Sequence, residues 1–227
     1  MEVYNVLVQY FPSFMVALVE TLKLTVVSLL CATVLGVVFG LFKVSGIRLL
    51  TLIANIYIDI IRGTPLMIQT MIVYYGLSQT LRPLGFSWGP IGGSFTAGAV
   101  TLSLNAGAYM AEIIRGGIEA VDKGQMEAAR SLGLPYGNSM RKVILPQAFR
   151  TMLPSIINQF IISLKDTSLI SLIGIHELTQ RGKILAANSA SRVMAIWLAV
   201  ALFYLVICTT LSKIALLVER NVSYGRK

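Results

Sequence analysis

The sequence predicts an all-α integral membrane protein, one domain over residues 1–227 with about five transmembrane helices. Three observations predict it. Mean hydropathy is +0.76. Charged residues make up 13% of the chain, where a soluble domain carries about a quarter. Five stretches reach the roughly 20 mainly apolar residues that a spanning helix needs: residues 14–42, 49–81, 95–114, 152–173 and 193–218.

In the first stretch, Gly36 and Gly40 stand at the GxxxG spacing that lets helices approach closely. Glu20 and Lys23, three apart, suit a local ion pair. The second stretch is too long for one straight span. At about 1.5 Å per residue it would cover about 50 Å, against a hydrocarbon core of about 30 Å. Gly63-Thr64-Pro65 interrupts it, and proline removes a backbone hydrogen bond. A broken or strongly tilted helix is expected there, with Asp59 and Arg62 able to pair on one face.

On the third stretch Thr101, Asn105 and Glu112 share a face, with small Ala108 between them. Glu112 lies too near one end for a midplane site and reads as a structural partner of Arg115 or of the loop beyond. On the fourth, Ser155, Gln159, Ser163 and Asp166 are separated by four, four and three residues, which places them on one face. Polar groups in lipid are costly and usually face the bundle interior. Two polar stripes on neighbouring helices can therefore line a water-filled pocket, and Asp166, Asn105, Ser163 and Gln159 are the candidate substrate-binding residues. Ser155, Ser163 and Thr101 individually suit hydrogen bonds across a packed interface instead. An intramembrane carboxylate is costly unless employed, which singles out Asp166. Its rival role is a permanent ion pair that only supports the fold. Lys165 is adjacent in sequence but about 100° away around the helix.

The formal net charge is +9. A nucleic-acid binder would gather such charge on a soluble face beside aromatics. Here the cations fall mostly in short gaps between apolar runs, the pattern of a membrane protein with no nucleic-acid partner. Lys43, Arg48, Arg115, Lys123, Arg130, Arg141, Lys142, Arg150, Lys213, Arg220, Arg226 and Lys227 make twelve on one side. Arg82, Arg181, Lys183 and Arg192 make four on the other, while Lys23, Arg62 and Lys165 lie within apolar stretches. The positive-inside bias predicts an N-terminus outside and a C-terminus in the cytoplasm. The start, Met1-Glu2-Val3-Tyr4, has no positive region, so no cleavable signal peptide is expected.

Cys31 and Cys208 lie inside apolar runs without metal-ligand spacing and are expected as small buried residues. His176, the only histidine, reads as a loop residue. No metal site and no catalytic residues are expected. Gly182-Lys183 is followed by Ile184 and lacks the upstream glycine of a phosphate-binding loop, so the chain is not an ATPase by that means.

The connection over residues 115–147 is longer than a turn requires. Asp122 can cap a helix, with Gln125 completing a capping box. That helix would run through Met126 to Leu132 and stop at Gly133. A second short helix can start at Pro135 and is expected to break at Pro146. Within this loop Glu127-Ala128-Ala129, three residues, Gly133, nine residues and Val143-Ile144-Leu145-Pro146 resemble the EAA loop of ABC-importer permeases. Val143 stands where that family usually has isoleucine. Ile61-Arg62-Gly63-Thr64-Pro65-Leu66, the run from Asn105 to Gly117, and Leu164-Lys165-Asp166-Thr167-Ser168-Leu169 resemble its polar amino acid branch.

The resemblance implies a type I ABC importer permease fold with cytoplasmic coupling helices, in a bacterial or archaeal cell membrane. It implies a pair of permeases, either two copies or two homologues, in contact with lipid, and two cytoplasmic ATP-binding subunits that hold ATP and Mg. No cofactor would bind this chain. An extracellular or periplasmic solute-binding protein would deliver an amino acid, basic or otherwise polar. Glu127, Ala128, Ala129 and Gly133 would couple to the ATPase, the small alanines allowing close approach. The competing classes are a self-contained secondary carrier, which usually shows internal repeats absent here, and a channel subunit.

Overall fold

The computed structural model describes the backbone of residues 1–223 and the side chains of residues 1–217. The Arg220 side chain, Arg226 and Lys227, counted above on the cation-rich side, lie outside the described residues. The chain runs as α1 (Glu2–Val44), α2 (Arg48–Arg62), α3 (Leu66–Leu84) and α4 (Gly93–Glu119). It continues as α5 (Lys123–Ser131), α6 (Tyr136–Ile173), α7 (Leu178–Ala187) and α8 (Val193–Ser223). Among the described residues there is no β-strand.

α1 begins well before the expected residue 14, because Val6 and Phe14 on one of its faces pack with Leu178 of α7 and Ile196 of α8. Further along, Gly36 and Gly40 meet α4. A Cβ at Gly36 would sit 2.5 Å from the Met110 Cβ, and one at Gly40 would sit 3.0 Å from the Ala111 carbonyl oxygen. The GxxxG spacing is thus a real helix seam, closed by backbone approach.

The second apolar stretch breaks where Gly63-Thr64-Pro65 predicted, with 102° between α2 and α3. Among the described residues α1, α6 and the α8 segment are each long and apolar enough to cross a membrane, and the bent α2–α3 pair adds a fourth. α4, the third expected span, is less apolar for a physical reason. It sits at the centre, against α1, α2, α3 and α6, and buries Ala97, Thr101, Asn105, Ala108 and Ala111. A helix sheltered from lipid by its neighbours needs small residues for close approach more than it needs apolar bulk.

The loop after α4 follows the expected helix–turn–helix with two corrections. Asp122 caps α5, its Oδ1 accepting from the Gly124 N–H at 2.7 Å. Gln125 does not complete a capping box; its Oε1 accepts from Gln147 Nε2 at 3.3 Å and ties α5 to α6. The chain turns away after α5 at Gly133, whose φ of +84 favours a residue without Cβ. Pro146 does not break the second helix. A wide turn at Met140–Ile144 precedes it, and in that turn the Leu145 N–H reaches back to Met140. The ladder is already loosened where the proline N–H is missing, so α6 runs on unbroken.

Candidate functional site

The site grows out of the break between α2 and α3. Pro65 has no N–H, so the Ile61 carbonyl loses the partner a continuous helix would supply. Buried Gln69 replaces it. Its Nε2 donates to Ile61 O at 2.6 Å, to Thr64 O at 3.0 Å and to Thr64 Oγ1 at 2.9 Å. Its Oε1 accepts from Asn105 Nδ2 of α4 at 3.0 Å. Nearby, the Tyr57 hydroxyl donates to Leu104 O at 2.7 Å and fixes α2 against α4. The broken span is therefore clamped by side chains, as polar backbone at membrane depth requires.

Beside this clamp lies a cavity of about 610 Å³, a size typical of small-molecule sites. Arg62, Gly63 and Thr64 form one side of it, Asn105 and Tyr109 of α4 another. Gln159 and Asp166 of α6 supply the third. Three of the four candidate substrate residues thus meet here: Asn105, Gln159 and Asp166. The fourth, Ser163, is buried behind them and receives a hydrogen bond from Gln159 Nε2 at 3.4 Å. Ser155 is exposed and apart from the cavity. Thr101 donates back along its own helix to Ala97 O at 2.8 Å. Asp166 is half-buried, and among the described residues it enters no ion pair; Lys165 beside it is exposed.

Below Asn105 on α4 sits a charge cluster around Glu112. Lys43 Nζ lies 2.5 Å from its carboxylate and Arg115 2.8 Å, while Arg62 lies at 3.8 Å. The Arg115 partnership was expected; Lys43 and Arg62 were not legible in the sequence. Arg62 does not pair with Asp59. Its guanidinium rests over the Tyr109 ring, 5.2 Å from the centroid. Glu20 and Lys23 do pair, at 2.8 Å.

Sequence reasoning also missed Glu177, whose side chain is fully buried. It caps α7, accepting from the Gln180 N–H at 2.6 Å and from the Tyr204 hydroxyl at 2.8 Å. Burial pushes its carboxyl above the usual range, against the pull of those hydrogen bonds. The adjacent Leu178 N–H donates to Thr21 Oγ1 of α1 at 3.1 Å, so this corner ties α1, α7 and α8 together. His176 is in the loop just before it, as expected. Cys31, expected to be buried, is exposed on α1, because α1 turns that face away from the bundle. Among the described residues no group of three His, Cys, Asp or Glu could hold a metal ion.

In the loop, Glu127 and Ala128 are exposed while Ala129 is buried in this chain. Ala129 therefore serves the internal packing of α5, and of the two alanines only Ala128 lies on the outer face. Leu132 and Tyr136 are 84% and 52% exposed, an apolar pair at the tip of the hairpin.

Apolar helices packed round a polar cavity, with a capped helical hairpin at one end, define a multi-pass membrane permease. Residues 32–224 match the binding-protein-dependent transport system inner membrane component family, and the chain belongs to it. It is 39% identical over 219 residues to the arginine transport system permease protein ArtQ of Bacillus subtilis (strain 168), covering 96% of each chain. It is 41% identical over 202 residues to the glutamine transport system permease protein GlnP of Escherichia coli (strain K12), covering 89% of each. A crystal structure of an amino acid ABC transporter with histidines superposes with a TM-score of 0.85 at 40% identity, covering 95% of this chain and 96% of that one. The fold is the type I importer permease fold that the EAA-loop resemblance implied.

Proposed function

We propose that this chain is the translocating subunit of an ATP-binding-cassette importer for a polar amino acid, and that Asp166 holds the substrate's ammonium or cationic side chain. The observation that carries this reading is an uncommitted carboxylate in a polar cavity at a helix break. A carboxylate held unpaired inside a membrane bundle is costly, and a cationic substrate group offsets that cost. Gln159 offers further polar contact, Ser163 orients Gln159, and Asn105 contributes its free carbonyl oxygen. The named transport roles of the similar proteins, arginine and glutamine, support the same substrate class.

The chain crosses the membrane five times in this reading, N-terminus outside, C-terminus and the 115–147 loop in the cytoplasm. Two permeases, two ATP-binding subunits and a solute-binding protein complete the importer. ATP and Mg belong to the ATP-binding subunits, and this chain performs transport rather than catalysis. The surface that the ATPase covers is Glu127, Ala128, Leu132 and Tyr136, with Gly133 setting the turn between the helices.

The test is Asp166→Asn, which keeps shape and removes charge. With the ATPase subunit and binding protein reconstituted in liposomes, uptake of arginine, lysine, histidine and glutamine is measured for wild type and variant. An assembled variant with lost or altered selectivity is expected. Unchanged affinity and unchanged selectivity would remove Asp166 from the substrate site.

A further inference from the structure

The cavity is lined by an acidic and a basic side chain, and the substrate reading above uses only the acidic one. Asp166 comes from α6; Arg62 comes from the last turn of α2. Arg62 is loosely held. Glu112 is already matched by Lys43 at 2.5 Å and by Arg115 at 2.8 Å, and Arg62 stands off at 3.8 Å with its side chain 43% exposed. Its other contact is the face of Tyr109, which also lines the cavity. A guanidinium held over a ring face spends none of its N–H groups on that contact, and its fork geometry matches a carboxylate with two parallel hydrogen bonds.

We infer that Arg62 binds the α-carboxylate of the transported amino acid, so that the cavity grips a zwitterion at both ends: carboxylate on Arg62, cationic group on Asp166. This rests on the substrate reading given above and adds the second pole to it. Tyr109 holds the guanidinium at the cavity wall, where the carboxylate arrives. The cavity then selects against amines that lack a carboxylate, whatever side chain they carry. Occupancy also draws Arg62 away from Glu112, which Lys43 and Arg115 continue to neutralise, so the exchange leaves no carboxylate unpaired.

The test uses the purified permease–ATPase complex and direct binding by calorimetry, with ADP and with ATP plus vanadate. The probes are L-arginine and its decarboxylated counterpart agmatine, and L-histidine with histamine. In wild type each amino acid is expected to bind at least tenfold more tightly than its amine. Arg62→Gln should reduce that ratio to near one by weakening the amino acid alone, and Arg62→Lys should retain part of it. Because the ratio is taken within one preparation, partial misfolding does not distort it. Equal wild-type affinity for acid and amine overturns the inference even if the variants do not assemble. A variant ratio equal to wild type, or equal loss of acid and amine, overturns it too. Binding of none of the probes by wild type in either nucleotide state refutes the underlying substrate reading instead, and the inference with it.

Discussion

Gln69→Leu isolates the contribution of the clamp at the helix break. Leucine has similar bulk and offers no hydrogen bonds. The Ile61 carbonyl, 2.6 Å from Gln69 Nε2, cannot turn to residue 65, because that residue is proline. The Thr64 carbonyl at 3.0 Å loses its side-chain donor as well, and Asn105 Nδ2 loses its acceptor. A buried polar group left unsatisfied costs about 1–3 kcal/mol, and water in the adjacent cavity relieves some of the loss, so the variant is expected to lose about 2–4 kcal/mol of stability. The Gln69–Asn105 bond alone should appear as a coupling energy of about 0.6–1.7 kcal/mol in a double-mutant cycle with Asn105→Leu, between the average and the maximum found for interhelical hydrogen bonds in a membrane. Thr70→Val is the control. Thr70 is equally buried but donates only back to Leu66 O of its own helix, so its loss should stay below about 1 kcal/mol. The assay is equilibrium unfolding of the purified chain in mixed detergent micelles, with ligand binding measured alongside. A Gln69→Leu protein within about 0.5 kcal/mol of wild type, or additivity in the cycle, refutes the clamp.

Gly133→Val places a β-branched residue at a φ of +84 and should distort the turn after α5 at a cost of about 1–2 kcal/mol; normal uptake with normal ATPase stimulation would count against a coupling role. Glu177→Gln tests the buried cap. The folded-state pKa of Glu177 is raised, so the stability tied to its protonation is fully present below the ordinary glutamate pKa. It is lost as pH rises through the folded value. The thermal midpoint of wild type should therefore fall with rising pH across that window relative to Glu177→Gln, and parallel profiles would contradict the assignment. For topology, Ser131→Cys should resist a membrane-impermeant maleimide on intact cells while Ser87→Cys reacts; labelling at residue 131 from outside would reverse the proposed orientation.

What could be read in the sequence depended on how far apart the partners lie along it. The break at Pro65 is a local backbone rule, and the Gly36–Gly40 seam is a local spacing. The Gln159–Asp166 face follows from helical period alone. The Asn105–Gln69 bond joins residues 36 apart, and Lys43–Glu112 joins residues 69 apart. No periodicity relates such pairs; only the packing of α1, α3 and α4 does. For that reason Asn105 was legible as a polar residue facing inward, while half of its side chain was already committed to Gln69. Pro146 misled for a different reason. A proline predicts a lost hydrogen bond, and a wide turn just upstream absorbs the loss without a break.

That unbroken passage through Pro146 bears on how the proposed importer would transmit force. α6 carries Gln147, bonded to Gln125 of the α5 hairpin, and 19 residues later Asp166 in the cavity. At about 1.5 Å per residue these points are about 28 Å apart on one helix. Had the helix broken at Pro146, motion of the hairpin would dissipate in a hinge. A continuous helix instead moves as a body. α4 is the other flank: it bears Asn105 at the cavity, Glu112 in the ion cluster and Glu119 paired with Arg115 just before the hairpin. Two of the three walls of the cavity, α4 and α6, are therefore also the helices that hold the hairpin. In the proposed importer, a displacement of the hairpin that moves α4 and α6 unequally shifts Asn105 relative to Asp166. In the proposed importer, this connectivity is the route by which nucleotide state would reach the substrate cavity.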